Sequence, residues 1–217
     1  MALYLDTADV TAWETLMPTG LFHGITTNPL LASRAGLDYR TIDWAQMAAR
    51  ARDLGARELH AQVYGPVTGY VDWAGALYEA GQAAGIETVV KIPLVEPAIR
   101  TTGAIRALGG RVLMTACYDA KQMFVANALG ADFIAPYFGR MDGLGMDAYA
   151  ALAQMKAIQG AGNKRCTILV ASLRSPEQMV RLAAEGQDTF TISPAVAQAL
   201  LDDPNTAAAY AEFEATV

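Results

Sequence analysis

The sequence predicts an α/β fold over residues 1–217, a single (β/α)8 TIM barrel with one extra helix at the C-terminal end. Two observations predict this fold. β-like runs alternate with helix-like stretches eight times, and 217 residues with 53% hydrophobic content can bury one large core. A doubly wound open sheet is the rival arrangement. It is disfavoured because no glycine-rich fingerprint follows the first predicted strand.

Each predicted strand is a short apolar run rich in β-branched residues. Parallel strands covered by helices on their outer face read as nearly continuous apolar sequence, and the run TVVKIP at residues 88–93 is typical. The eight predicted strands cover residues 3–6, 23–27, 58–63, 88–92, 111–116, 132–136, 167–171 and 189–192.

The stretches between the strands are rich in alanine and place apolar residues at helical spacing. Asp43 stands where an N-cap belongs, and Pro176 and Pro194 suit the first helical position. The predicted helices cover residues 43–54, 67–84, 97–108, 119–129, 146–158, 176–184 and 194–201, with the extra helix at 204–216. The first connection, residues 7–16, is shorter. We expect long loops at residues 22–34 and 139–145, the second of them on the active face.

Composition excludes several functional classes. A formal net charge of −6 and a pI of about 4.9 favour neither nucleic acid nor an anionic membrane as a partner. Cys117 and Cys166 form neither a disulfide framework nor a zinc pattern. The N-terminal sequence MALYLDTADV lacks the features of a signal peptide, and no apolar run is long enough to span a membrane. We expect a cytoplasmic protein.

Lys91 interrupts the apolar fourth strand near its end. Lysines are rarely buried unless they are paired or have a chemical role. Desolvation lowers the pKa of an amine, which leaves a neutral nucleophile able to condense with a carbonyl group. The alternative interpretation is a lysine at a frayed strand end that reaches water. The residues predicted to lie around it decide between the two.

Polar residues follow or end most of the predicted strands, at the end where barrels carry their chemistry. Alternate residues of a strand face the same way, so Lys91 shares a face with Val89, and Thr26 shares one with Asn28. We therefore expect several polar side chains to converge on one mouth around the lysine amine. The polar residues at strand ends are Asp6, Thr26, Thr27, Asn28, Gln62, Thr115, Tyr137, Ser172 and Ser193.

This pattern predicts a Schiff-base site. Dehydration of a carbinolamine and later carbon–carbon chemistry need proton transfers by a positioned acid–base. Neither histidine suits this role, because we expect His60 deeper in the core and His23 at the wrong end of its strand. The remaining candidates are Asp6, Tyr137, or a water held by Gln62, Thr115 and Tyr137.

An anion site is also predicted beside the lysine. Arg140 follows Tyr137 by three residues, and Ser172 and Arg174 come just after the seventh strand. The turn into the next helix would direct backbone N–H groups at an anion, and the guanidinium fork suits phosphate. The alternative interpretation is two solvated surface arginines.

Six segments make the sequence resemble the transaldolase family, and within it the small fructose-6-phosphate aldolase subgroup. In order they read LYLDTAD, GITTNP, VVKIP, TACY, APYFGRMD and VASLRS, and the resemblance extends from Leu3 to about Phe213. It implies a class I aldolase barrel with no metal and no organic cofactor. It also implies a homo-oligomer, a decamer built from two pentamers.

The resemblance further implies roles for individual residues. Lys91 would be the Schiff-base lysine. The residues around the dihydroxyacetone part of the substrate would be Asp6, Thr26, Asn28 and Ser172. Those around the phosphate would be Arg140 and Ser172, with Arg174 as a further candidate.

Two positions separate the subgroups. Transaldolases proper carry a glutamate on the third strand and a phenylalanine after the sixth, whereas this sequence has Gln62 and Tyr137, as the aldolase subgroup does. In that subgroup the tyrosine hydroxyl takes part in proton transfer, and the glutamine and a threonine, here Thr115, help to hold the water. Leu173 departs from the pattern, because an aromatic residue is expected there. The longer C-terminal tail of these relatives is also missing.

The leading hypothesis is an enzyme that reversibly cleaves fructose 6-phosphate to dihydroxyacetone and glyceraldehyde 3-phosphate through Lys91. A transaldolase that passes the three-carbon unit to erythrose 4-phosphate is the first alternative. An aldolase with hydroxyacetone, dihydroxyacetone or another small carbonyl donor is the second. A non-catalytic sugar-phosphate binder is the third.

Overall fold

Eight parallel strands form a barrel surrounded by helices in the computed structural model, which describes residues 1–161 and 166–216. This confirms the predicted fold class. The strands are β1 (Ala2–Asp6), β2 (Gly24–Thr26), β3 (Glu58–Gln62), β4 (Glu87–Pro93), β5 (Arg111–Cys117), β6 (Phe133–Pro136), β7 (Thr167–Ile168) and β8 (Thr189–Ile192).

From β1 to β7 each strand pairs with the next one in the chain, and β1 also pairs with β8. The seam between β7 and β8 is joined by a bridge between Val170 and Phe190. There the Val170 N–H donates to the Thr189 carbonyl at 3.0 Å, and the Val170 carbonyl accepts from Thr191 at 2.9 Å. The closed order places β2 four strands from β6, so that these two strands face each other across the barrel.

The helices lie outside the barrel. They are α1 (Val10–Leu16), α2 (Pro29–Arg34), α3 (Trp44–Asp53), α4 (Tyr70–Ala84), α5 (Glu96–Ile99), α6 (Thr102–Ala107), α7 (Gln122–Ala128), α8 (Phe138–Gly143), α9 (Ala148–Ala161), α10 (Pro176–Ala184), α11 (Pro194–Leu201) and α12 (Pro204–Glu214). As predicted, the Asp43 carboxylate caps α3 by accepting from the Gln46 N–H at 3.0 Å, and Pro176 and Pro194 begin their helices. In the described part of the chain, no helix is long and apolar enough to cross a membrane.

Both predicted long loops contain helices, and those two predictions were wrong. The stretch 22–34 contains β2 and all of α2, because the Asn28 side chain accepts from the N–H groups of Leu30 and Leu31 and caps the helix. In the stretch 139–145, residues 139–143 belong to α8. The pair Asn28–Pro29 suits a turn as well as a helix start, so the local sequence is ambiguous.

Two further elements differ in extent from the prediction. The helix predicted at 97–108 is divided into α5 and α6, because the Thr101 hydroxyl donates to the Ala98 carbonyl at 2.8 Å and competes with helical bonding. The seventh strand has regular pairing only at Thr167–Ile168. Isolated bridges at Val170 and Ala171 continue its course.

A charged cluster lies at the amino-terminal end of the barrel, centred on the buried carboxylate of Glu58. It accepts hydrogen bonds from Tyr4 Oη at 2.9 Å and Arg111 Nη1 at 2.8 Å, and Glu58 Oε2 lies 2.8 Å from His60 Nε2. His23, partly exposed, lies 3.3 Å from the other carboxylate oxygen. The two histidines therefore lie away from the predicted catalytic end of the barrel, as expected. The sequence analysis missed the cluster itself.

Burial and hydrogen bonding shift the pKa values of Glu58 and His60 in opposite directions. Burial lowers the pKa of His60 to about 4, although the Glu58 carboxylate beside it favours the protonated ring. Burial alone would raise the pKa of Glu58, but the hydrogen bonds from His60 and Tyr4 and the charge of Arg111 hold that pKa below its usual range. The cluster is therefore an ionised carboxylate beside a neutral imidazole at neutral pH.

We expect the free energy of unfolding to fall as the pH drops from about 6.5 to about 4. In that window the unfolded chain takes up a proton on His60 that the folded chain does not, so acid favours unfolding. His60→Phe keeps a ring between Tyr4 and Phe133 and should flatten this pH dependence in thermal melts. An unchanged slope in His60→Phe would contradict the assignment.

Candidate active site

A cavity of about 310 Å³ opens at the carboxyl ends of the strands. Its volume is at the lower end of the range for small-molecule sites. Seven of the ten predicted site residues line it, namely Asp6, Asn28, Lys91, Tyr137, Arg140, Ser172 and Arg174. The sequence analysis missed eight others on its walls, namely Leu30, Leu31, Arg34, Leu113, Ala135, Leu169, Ala171 and Thr191.

Lys91 lies on β4 with only 5% of its surface exposed. Burial lowers the pKa of its amine, and the Asp6 carboxylate opposes this shift. Desolvation is thus the larger of these two effects on the pKa of Lys91. The amine carries a larger neutral, nucleophilic fraction than a solvated lysine does.

The Asp6 carboxylate is oriented by two threonines. The Thr26 hydroxyl donates to Asp6 Oδ1 at 2.6 Å and lies 2.6 Å from the Thr191 hydroxyl. Because the Thr26 proton is directed to Asp6, Thr191 donates to Thr26. Thr191 lies on β8, two residues before Ser193, whose side chain caps α11. Because alternate residues of a strand face the same way, the position of Ser193 could have indicated that Thr191 points toward the site.

Tyr137 lies opposite this group, and its hydroxyl is 2.9 Å from that of the buried Thr115. Burial raises the pKa of Tyr137, while the bond to Thr115 and the charge of Arg140 oppose the rise. The phenol is therefore neutral at neutral pH and able to donate a proton. Thr115 contacts Tyr137 but is not on the cavity wall.

An irregularity in β5 sets the direction of Thr115. The pairing of β5 with β6 shifts between Met114 and Cys117, and Ala116 has a left-handed φ of 58°. Such a bulge changes the aim of the neighbouring side chains. Nothing in the local sequence TAC indicates it.

The predicted anion site lies on one wall of the cavity. Arg140, on α8, lies with its guanidinium carbon 4.5 Å from the centre of the Tyr137 ring, and Arg174 follows β7. Gly139 allows α8 to approach the turn after β7, because a Cβ there would lie 2.0 Å from the Ser172 carbonyl oxygen. Ser172 itself has a φ of 64°. This close contact holds the two arginine-bearing segments side by side.

One detail of the anion site differs from the prediction. The turn from Ser172 was expected to point its N–H groups at an anion, but the Arg174 N–H donates to Gln178 Oε1 at 2.9 Å. The Arg174 N–H is therefore already paired, whereas the side chains of Arg140 and Arg174 line the cavity.

Gln62 is placed next to the site rather than in it. Its backbone is held by Tyr39, whose hydroxyl donates to the Gln62 carbonyl and accepts from the Gln62 N–H, both at 2.8 Å. Gln62 pairs with Lys91 in the sheet, but it is not on the cavity wall. Among the described residues its side chain has no hydrogen bond to Thr115 or Tyr137. Of the three residues expected to hold the water, only Thr115 and Tyr137 are therefore in contact.

Within residues 1–161 and 166–216, no group of three or more histidine, cysteine or acidic side chains is placed to hold a metal ion. The ionisable groups of the described residues on the cavity wall are instead one buried amine, one carboxylate, one phenol and three guanidinium groups. This set suits a polar, anionic carbonyl compound.

A barrel with a lysine, a carboxylate and a tyrosine at the carboxyl ends of its strands is that of an aldolase-type enzyme. A sequence model of the family described as "Transaldolase/Fructose-6-phosphate aldolase" matches residues 3–217, and the chain belongs to this family.

Similar proteins agree with this membership. A protein named "Probable transaldolase" from Chelativorans sp. (strain BNC1) is 32% identical over 211 residues, which are 95% of this chain and 91% of that protein. Another of the same name, from Phenylobacterium zucineum (strain HLK1), is 32% identical over 218 residues, which are 98% of this chain and 94% of that protein. A solved structure of the tryptophan synthase A-subunit from Pyrococcus furiosus has a TM-score of 0.64 at 16% identity. The match covers 91% of this chain and 88% of that subunit, and it shows the fold alone.

Proposed function

We propose that this protein is a class I aldolase that reversibly cleaves fructose 6-phosphate to dihydroxyacetone and glyceraldehyde 3-phosphate. The observation that carries the proposal is the position of Lys91, a buried amine of lowered pKa in the same cavity as the Tyr137 phenol. The same chemistry accepts related hydroxyketones as donors.

The reaction begins with attack of the Lys91 amine on the C2 carbonyl. The carbinolamine loses water to give an iminium ion, which the Asp6 carboxylate stabilises by its charge. The Asp6 carboxylate then takes the proton of the C4 hydroxyl, and the C3–C4 bond breaks, which releases glyceraldehyde 3-phosphate and leaves an enamine on the lysine. Tyr137 donates the proton that C3 of the enamine takes up, and water hydrolyses the resulting imine to release dihydroxyacetone.

The cavity walls supply the binding groups in this proposal. Arg140, Arg174 and the Ser172 hydroxyl take the phosphate. Asp6 and Asn28 face the hydroxyl groups of the dihydroxyacetone part, with Thr26 holding Asp6 in place. Thr115, whose hydroxyl lies 2.9 Å from that of Tyr137, helps to hold the water used for hydrolysis, and Gln62, beside Lys91 in the sheet, is the second candidate for this role.

Transaldolase is the second candidate, and the name of the similar proteins favours it. The two activities share every step up to the enamine. A transaldolase keeps that enamine for erythrose 4-phosphate, whereas an aldolase protonates it and hydrolyses the imine. A neutral phenol near the lysine supports the second course.

The deciding experiment measures glyceraldehyde 3-phosphate released from fructose 6-phosphate, with and without erythrose 4-phosphate. We expect release without the acceptor. Release only when the acceptor is added would make the protein a transaldolase. No release under either condition, together with no borohydride-trapped adduct, would refute both.

We also propose that the protein assembles with copies of itself. Helix α12 has 11 residues, and none of them is buried within the described chain. An isolated helix of this length is marginal in water, and Tyr210 and Phe213 on α12 are 62% and 67% exposed. A second copy that covers α12 would bury this apolar surface.

Replacing both Tyr210 and Phe213 by aspartate should therefore shift the protein to smaller species in light scattering. Val180→Asp, which changes an equally exposed apolar residue on α10, is the control and should leave the mass unchanged. A monomeric wild-type protein, or an assembly unaffected by the double change, would contradict the proposal.

A further inference from the structure

Strand β3 extends beyond its neighbour β2 at the carboxyl end of the barrel. On the β2 side, the Thr27 N–H donates to the His60 carbonyl at 2.8 Å. Backbone groups of alternate residues in a strand face the same neighbour, so the N–H and C=O groups of Gln62 also face this side. Pairing between the two strands stops at Thr26, and its continuation would place Asn28, which caps α2 instead, opposite Gln62. The backbone of Gln62 therefore needs a partner other than β2.

The hydroxyl of Tyr39 is that partner. It donates to the Gln62 carbonyl and accepts from the Gln62 N–H, both at 2.8 Å, so one side-chain oxygen takes the place of a neighbouring strand. A backbone group that is buried without a partner costs free energy comparable to a lost hydrogen bond. Burial also raises the pKa of Tyr39, so the phenol keeps the proton that it donates to the carbonyl.

Three other aromatic rings fix the ring of Tyr39. Its centre lies 5.2 Å from that of Trp44 on α3, 5.4 Å from that of Tyr64 and 6.4 Å from that of Trp73 on α4. The residue itself is 6% exposed. Because close packing restricts the rotation of the ring, the hydroxyl is held at one position against the end of β3.

Gln62 lies between Tyr39 and Lys91. It pairs with Lys91 in the sheet, and the Val63 N–H donates to the Lys91 carbonyl at 3.1 Å. The end of β3 is thus bonded to Tyr39 on one side and to β4 on the other. A shift of this strand end would move the Gln62 side chain relative to the Lys91 amine.

We infer that Tyr39 is a positioning residue for hydrolysis of the imine, because its hydroxyl fixes the strand end that carries Gln62 beside Lys91. This inference rests on the proposed function, in which Gln62 is a candidate for holding the water. Hydrolysis adds one water at C2 and releases the Lys91 amine, and formation of the imine from the ketone is the same step in reverse. Loss of the Tyr39 hydroxyl is therefore expected to slow both directions.

The test follows the loss of oxygen-18 from C2 of fructose 6-phosphate in ordinary water, measured against a blank without enzyme. Each cycle of imine formation and hydrolysis replaces that oxygen, so the loss reports the water step without any cleavage of a carbon–carbon bond. Tyr39→Phe removes the hydroxyl and keeps the ring. We expect it to slow the loss by about tenfold or more, the factor that corresponds to one lost hydrogen bond of ordinary strength.

Tyr78→Phe is the matched control. The Tyr78 hydroxyl, on α4, donates to the Arg111 carbonyl at 2.8 Å, at the start of β5 and thus at the opposite end of the barrel. The variant loses a tyrosine–carbonyl bond of the same length, so it should melt at a lower temperature and yet exchange oxygen at the wild-type rate. Slowed exchange in both variants would reduce the effect of Tyr39→Phe to a loss of stability and would overturn the inference.

A double variant tests the route through Gln62. Tyr39→Phe and Gln62→Met should each slow the exchange, and the double variant should be no slower than the slower of the two, since the hydroxyl acts through Gln62. Unchanged exchange in either single variant, or effects that multiply in the double variant, would overturn the inference.

The wild-type enzyme tests the proposed function separately. Loss of the label above the blank, together with a borohydride-trapped adduct, would uphold the Schiff base whatever the variants of Tyr39 and Gln62 do. Neither loss of the label nor an adduct would refute the proposed function and, with it, the role of Tyr39.

Discussion

Lys91→Met is expected to abolish turnover, by about 10⁴-fold or more, because it removes the nucleophile on which every later step depends. Methionine keeps most of the volume of the lysine stem, so the barrel should stay folded around a position that is 5% exposed. The measurements are release of glyceraldehyde 3-phosphate and the mass of a borohydride-trapped adduct. Both signals should disappear.

Lys121→Met provides the control for this prediction. Lys121 is an exposed lysine that pairs with Asp119 at 3.0 Å, outside the cavity walls. This variant should retain wild-type turnover and should still form the adduct. Substantial activity in Lys91→Met, with the circular dichroism spectrum of a folded protein, would mean that another group performs the chemistry.

Tyr137→Phe is expected to lower the aldolase rate by about a hundredfold or more, the usual size of a positioned acid–base contribution. The change removes the hydroxyl that contacts Thr115 and keeps the ring beneath Arg140, so substrate binding should change less than the catalytic rate. Transfer to erythrose 4-phosphate should survive better than cleavage, because transfer does not require protonation of the enamine.

The control for Tyr137→Phe is Tyr149→Phe on α9, a tyrosine packed against Phe138 and Arg181 away from the cavity walls. It should leave both rates unchanged. A Tyr137→Phe enzyme with the wild-type cleavage rate would assign the proton transfer to Asp6, which is the other titratable oxygen group on the cavity wall.

The barrel could be predicted because its signals are local. Strand runs such as 88–92 and helix starts such as Asp43 and Pro194 each act within a few residues. The predicted barrel also explains why Lys91 and Tyr137 were expected in one cavity. In a closed parallel barrel, residues that follow different strands meet at the same end, whatever their separation in the chain.

The features that sequence analysis missed depend on longer-range contacts or on ambiguous local signals. Arg34 was overlooked because α2 has only six residues and its Asn28 cap also resembles a turn. The Glu58 cluster joins β1, β3 and β5, and no local pattern reports which partners a buried carboxylate will find. The spacing of Glu58, His60 and Gln62, which places them on one face of a strand, was the only sequence signal for this cluster.

The left-handed backbone at Ala116 and Ser172 implies a trade-off between stability and activity. Each of these non-glycine residues holds a conformation that costs of the order of 1 kcal/mol, and both lie beside groups of the cavity. Glycine at either position would relieve this strain, and part of the gain would be offset by a more flexible unfolded chain. It would also loosen the backbone that directs Thr115 and the Ser172 hydroxyl. Selection for heat resistance alone is thus expected to favour changes here that slow the enzyme.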